Sequence, residues 1–157
     1  MSEQENTKTD IPTREMDPNY RSVQVERLGV SHYRVTNAQG STLDFGRGEG
    51  LLSPVDLLLA AIAGCASIDV DVVTSRHTEP EVFKVTPSAL RIEENGAVRL
   101  DDVQVAFDLA FPEDQGGKKA ASLIERLLQL SHEKDCTVSR TVQHETSVKF
   151  LRTDTPS

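Results

Sequence analysis

The chain has 157 residues, 37% of them apolar, and a formal net charge of −8 from 17 Lys and Arg against 25 Asp and Glu. That length suits one domain with a real core. An acidic balance without a basic cluster is the opposite of a phosphate-tracking surface, so no nucleic acid is expected as a partner.

In chain order, residues 1–18 are polar and charged, carry Pro12 and Pro18 and show no hydrophobic periodicity. They read as a disordered tail without an export signal. A cytoplasmic protein is therefore expected, and its two cysteines, Cys65 and Cys136, are expected as free thiols rather than a structural disulfide. Residues 19–152 read as a single domain and 153–157 as a short polar tail. Three strands are predicted in SVQVERLG, HYRVT and STLDFG, separated by Gly29 and the NAQG turn, in the order of an antiparallel meander.

A helix is expected next. Ser53 can act as N-cap, Pro54 fits the first helical position, and Asp56 stands at N3, where a carboxylate suits the helix N-terminus. The helix is apolar almost all the way round from Leu57 to Ile68, which predicts burial of its first turns on most sides. That run falls short of the ~20 residues that cross a bilayer, so it reads as a core element and no membrane partner is expected. Gly64 with Ala60, Ala61, Ala63 and Ala66 surrounds Cys65 with small residues, against which another element or a ligand can sit close.

Asn95-Gly96 between EVFKVTPSALRIEE and AVRLDDVQVAFDLAF predicts a long hairpin. Val103, Val105, Phe107, Leu109 and Phe111 share one face of its second arm, and Pro87 demotes part of the first arm to an edge or a bulge. EDQGG then interrupts the chain, a second amphipathic helix is expected over Lys118 to His132, and TSVKFLR reads as a closing strand. The order β-β-β-α-β-β-α-β is that of an α+β fold.

Two of these stretches, SPVDLLLAAIAGCASIDV from Ser53 and SHEKDCTVSRTV from Ser131, together resemble the OsmC/Ohr family, the osmotically inducible and organic hydroperoxide resistance proteins. The resemblance runs from about Ser22 to Phe150. It implies an OsmC-like fold, with antiparallel sheets packed on a buried central helix, in an intertwined homodimer with sites at the subunit interface. It also implies a thiol-dependent peroxidase that reduces organic hydroperoxides, is recycled by a dithiol reductant and uses no cofactor. By position in the two motifs, Cys65 corresponds to the peroxidatic cysteine and Cys136 to the resolving one.

The chemistry is consistent with that assignment. A thiolate attacks the peroxide oxygen, and the sulfenic acid that results needs a second thiol to capture it before it oxidises further. An apolar wall, for which Leu57, Leu58 and Ile62 are candidates, suits a substrate with a hydrocarbon tail.

The chain departs from the Ohr branch at the activating residues. Where that branch carries a Glu before the helix cysteine this sequence has Val55, with Asp56 one residue later. One residue turns a helical side chain by about 100°. Asp56 and Arg34 are the possible activating residues; Arg27 lies in the same region, and Thr137 stands where a Pro commonly follows the second cysteine. His132 and Cys136 are one helical turn apart and, with His144 and Cys65, would be needed together for a metal site; no metal is expected. Two other functions stay open on the residues alone: a binding module for an apolar ligand with the cysteines as redox sensors, and a cysteine hydrolase or transferase with a base beside Cys65.

Overall fold

A computed structural model describes residues 14–153; most of the expected N-terminal tail and most of the C-terminal one lie outside them. The chain forms two compact units that divide between Pro54 and Val55.

The first unit is the expected meander. Strands β1 (Val23–Gly29), β2 (His32–Asn37) and β3 (Thr42–Gly46) pair antiparallel in the order β1-β2-β3. Asn37 closes the β2–β3 turn, its side-chain oxygen accepting from the Gln39 and Ser41 amides, a common use of Asn in turns. Register sets Tyr33 opposite Phe45 and Arg34 opposite Asp44. The rings of the first pair lie 5.8 Å apart between centroids, and the second pair forms a two-pronged ion pair. Gly46 has a φ of +151°, and a Cβ there would run into the Ser31 carbonyl oxygen, so no other residue fits this strand end.

The second unit opens with helix α1 (Pro54–Thr74), which starts at the proline the sequence marks. Strands β4 (Val82–Glu94) and β5 (Ala97–Ala110) follow as one antiparallel hairpin. Asn95 and Gly96 both have positive φ, 53° and 77°, as a two-residue type I′ turn requires. Val105, Phe107 and Leu109 stand opposite Pro87, Val85 and Phe83. Beyond Pro87 the register slips between Ser88 and Leu90. Asp102, with φ 49°, forms the bulge on β5. The extra residue reverses the alternation, so the half-buried positions pass from Val105 to Leu100.

Helix α2 spans Gln115–Leu130, three residues ahead of the expected start. Asp114 caps it by accepting from the Gly117 amide at 2.8 Å. Gly116 and Gly117 are its first turn rather than an interruption, since a Cβ on Gly117 would strike the Pro112 carbonyl oxygen. A π-helical turn, Ser131–Asp135, continues it, and helix α3 (Thr137–Gln143) follows. Among the described residues of this unit, the buried ones are Ile62, Ala63, Val70 and Thr74 of α1, Gly117 and Ala120 of α2, then Ser131 and Cys136. The buried residues of this unit therefore come from α1, α2 and the segment after it, and Asp69 of α1 bonds Ser131 of that segment.

Two expectations are corrected. The closing strand in TSVKFLR is not formed: this stretch has no ladder partner, and Val148 and Phe150 are 74% and 96% exposed. A strand is stabilised by cross-strand neighbours, and among the described residues no sheet edge supplies them. Its place before the chain end is taken by α3, which the β-branched TVSRTV concealed. Nor is α1 covered on most sides, because Val55, Leu58, Ile68 and Val72 are exposed in the single chain. By length and composition α1 is long enough to cross a bilayer, but it carries Asp56, Asp69 and Asp71, and a carboxylate in hydrocarbon is costly. Asp69 is bonded to protein instead.

The Asp114 cap gives a direct check on this reading of the α2 start. Asp114→Ala should cost about 1 kcal/mol of stability, as N-cap removals do, in urea unfolding followed by circular dichroism. Glu113→Ala, one residue outside the helix, should cost much less.

Candidate active site

Leu58, Ile62, Cys65 and Asp69 follow the i, i+4, i+7, i+11 spacing of one helical face. On that face Ile62 is buried, and Cys65 and Asp69 are half-buried. Asp69 Oδ2 accepts a hydrogen bond from Ser131 Oγ at 2.7 Å. This bond joins α1 to the first residue of the π turn, and Ser131 is itself buried.

The π turn then determines where the second cysteine lies. Cys136 donates its backbone N–H to the Ser131 carbonyl at 2.9 Å, five residues back, which is the wide ring of a π turn. Its backbone is then extended, with φ −78° and ψ 97°, and its sulfur caps α3. Cys136 Sγ accepts from the Ser139 amide at 3.4 Å and donates to Ser139 Oγ at 3.1 Å. The residue is fully buried. Both cysteines are free, and the Cys136 thiol lies near enough to influence the ionisation of Cys65.

The environment of Cys65 favours the neutral thiol. Burial pushes it up; the Cys136 thiol and the Asp69 carboxylate push in the same direction, and only the Val138 backbone amide opposes them. Such a thiol contributes stability that is complete below the unfolded cysteine value of about 8.5 and is lost as pH rises through the higher folded value.

Neighbours of both cysteines, though neither cysteine itself, line a cavity of about 520 Å³, within the size range of small-molecule sites. Ile62 and Ala66, on either side of Cys65 along α1, form one wall, and Ser131 and Ser139, the two hydrogen-bond partners of Cys136, are also in its lining. Val103, Val105 and Phe107 of β5 and Leu128 of α2 make the apolar wall opposite, while Arg99, Asp101 and His132 add polar groups. Arg99 is already paired with Glu94 and Asp101. Of the expected apolar wall only Ile62 lines this space. Leu58 shares the face of Cys65 but lies about 10 Å back along the axis and is exposed.

The two possible activating residues are not gathered at Cys65 in the same way. Asp56 precedes it by nine residues, two and a half turns, so it stands on the opposite face of α1 and about 13 Å along it. Arg34 Nε and Nη2 hold Asp44 at 2.7 and 3.0 Å on the first unit's sheet, and the guanidinium keeps that carboxyl below its ordinary range. Among the described residues no three His, Cys, Asp or Glu side chains gather as a metal site. The sequence reading missed Asp69, Ser131 and Ser139. One signal was available: Asp69 stands one helical turn after Cys65, the spacing at which helical side chains meet.

Residues 46–150 match the family model of OsmC-like proteins. The chain belongs to the OsmC-like protein family. No curated protein matches it significantly in sequence, but solved structures share the fold. A hypothetical protein from Aquifex aeolicus is 23% identical, with 83% of this chain and 92% of that one covered at a TM-score of 0.64. The organic hydroperoxide resistance protein OsmC of Legionella pneumophila is 19% identical over 81% and 92%, with a TM-score of 0.53. The organic hydroperoxide resistance protein OhrB of Bacillus subtilis is 18% identical over 79% and 92%, with a TM-score of 0.51. The likeness to these three is one of fold.

The surroundings of Cys65 make a testable statement about its titration. In Cys136→Ser protein, absorbance of the thiolate at 240 nm should place Cys65 above about 8.5, the value of an unperturbed cysteine. A midpoint below that value would mean that a cation outside this arrangement governs the thiol.

Proposed function

We propose that this OsmC-family protein is a thiol-dependent peroxidase that reduces organic hydroperoxides in oxidative-stress defence. The observation that carries the reading is the proximity of two free thiols, brought from separate elements of the chain, next to a cavity of mixed polar and apolar lining. Neighbours bearing the name organic hydroperoxide resistance protein add support for a redox role.

In this reading the Cys65 thiolate attacks the terminal oxygen of ROOH. An S–O bond forms, the O–O bond breaks, and the alkoxide takes a proton and leaves as ROH. The Cys136 sulfur then attacks the Cys65 sulfenic acid, forming an S–S bond and releasing hydroxide, which leaves as water after taking a proton. A dithiol reductant returns both thiols. The hydrocarbon part of the substrate lies against Val105, Phe107 and Leu128, where each buried CH₂ contributes about 0.8 kcal/mol.

We also propose an intertwined homodimer, a cytoplasmic protein whose residues 19–152 act as one OsmC-like domain. The exposed apolar residues of α1 and the unpaired Val148 and Phe150 support it, since apolar surface of this kind marks interaction sites. In sedimentation the protein should run as a dimer. Asp56 has the position of a helix-starting carboxylate, and Arg34, paired with Asp44, stays a candidate for activation rather than an assigned cation.

Single-turnover kinetics with variants test the roles of the two cysteines. Cys65→Ser should abolish hydroperoxide consumption, because a neutral hydroxyl is a far weaker nucleophile than a thiolate. Cys136→Ser should complete about one turnover per site and stop with Cys65 as sulfenic or sulfinic acid. Consumption that survives in Cys65→Ser and vanishes in Cys136→Ser would reverse the roles. If both wild-type thiols survive excess hydroperoxide unmodified, a binding module using the cavity becomes the better account.

A further inference from the structure

Within that reading, the hydrogen bond between Asp69 and Ser131 takes on a function. We propose that Asp69 and Ser131 are a positioning pair that holds the resolving cysteine against Cys65 and so governs closure of the disulfide.

The argument rests on connectivity. Asp69 is rigidly related to Cys65, because four residues of one helix separate them on a shared face. Ser131 is equally tied to Cys136, because its carbonyl accepts the Cys136 amide at 2.9 Å. The 2.7 Å bond between the two side chains completes a path from one thiol to the other that crosses a sequence gap of 62 residues. Both ends are constrained, since Ser131 is buried and α1 is continuous through Asp69. A hydrogen bond to an ionised carboxylate is stronger than a neutral one, so it suits a tether between two elements of which one, the π turn, has a weakened helical ladder.

A carboxylate one turn from a nucleophilic thiol is otherwise hard to explain. Its negative charge disfavours the thiolate, which slows the first oxidation. Asp69 therefore works against peroxide attack and in favour of the capture step. Capture requires the Cys136 sulfur to approach the sulfenic sulfur, form the S–S bond and expel the oxygen as water, and the pair fixes the approach. Neither residue touches the reacting atoms; both act through the cysteines.

The test measures the thiol pair without requiring peroxide chemistry. Purified full-length protein is equilibrated with reduced and oxidised glutathione, and the fraction of Cys65–Cys136 disulfide gives the effective concentration of the two thiols. Closure is also timed after addition of diamide, an azo oxidant that takes two electrons and two protons from the pair. Ser131→Ala should lower the effective concentration and slow closure by about tenfold, as expected when a charge-assisted bond that holds the reactive geometry is lost. Ser131→Thr, which restores a hydroxyl, should recover most of that loss.

Asp69→Asn keeps an oxygen acceptor and removes the charge. It should lose less than Ser131→Ala and should also lower the Cys65 titration midpoint, a shift that a purely structural role does not produce. If Ser131→Ala does not fold, Asp69→Ala tests the same bond from its more accessible end. Wild-type closure and wild-type effective concentration in a folded Ser131→Ala or Asp69→Ala protein would overturn the proposal. Failure of hydroperoxide to oxidise Cys65, with diamide closure still dependent on Ser131, would overturn the peroxidase reading alone.

Discussion

In the proposed reading a helix cysteine is resolved only where a second thiol is held close by, and the hydrogen bonds of the second unit bear on that constraint. Cys65 lies on a long helix and Cys136 follows a different one, so the meeting must be enforced by what joins them. Three local devices do so. Asp69 bonds Ser131, the π turn returns the Cys136 amide to Ser131, and the Cys136 sulfur caps α3. Ser131 and Cys136 are buried at this junction, as is Ile62, three residues before Cys65 on α1. The cavity opens on the side of the junction that faces β5, where the alternation of Val103, Val105 and Phe107 supplies apolar surface.

The same arrangement carries a cost in reactivity. Burial keeps competing water away from the thiol but also raises the energy of the thiolate, and Asp69 adds to that effect. A thiol in this setting is stable until a cation or a rise in pH ionises it. In the proposed reading the geometry that favours capture also disfavours the thiolate, so activation has to come from elsewhere. The exposed apolar residues of α1, among them Ile68 and Val72, and the unpaired TSVKFLR stretch show that one chain does not provide all of its own cover.

Much of this was legible in the sequence because its signals are local. Pro54 marks the start of α1, Asn95-Gly96 marks the hairpin turn, and the period-two pattern from Val105 to Leu109 marks a sheet face; in each case backbone sterics or alternation acts over a few residues. The two cysteine motifs identified the family that residues 46–150 then matched. What escaped notice depends on partners distant in sequence or on events without a period. The π turn adds one residue to a helical ring and leaves the hydrophobic pattern unchanged. Helix α3 forms from β-branched residues because Cys136 caps it. The Asp69–Ser131 bond joins positions that no spacing rule connects. TSVKFLR has the alternation of a strand, but alternation specifies a face and not the edge with which it pairs. The burial expected of α1 failed for a related reason, since an apolar helix shows a need for cover without showing what supplies it.

The claim on which the account rests is that Cys65 and Cys136 of one chain form a functional pair. Peptide mapping by mass spectrometry, after reduced protein is treated with one equivalent of an organic hydroperoxide, tests it most directly. The account predicts loss of both thiols and a single disulfide-linked peptide joining Cys65 to Cys136 within the chain. Recovery of both thiols unmodified, or accumulation of Cys65 as sulfenic acid while Cys136 stays reduced, would contradict it.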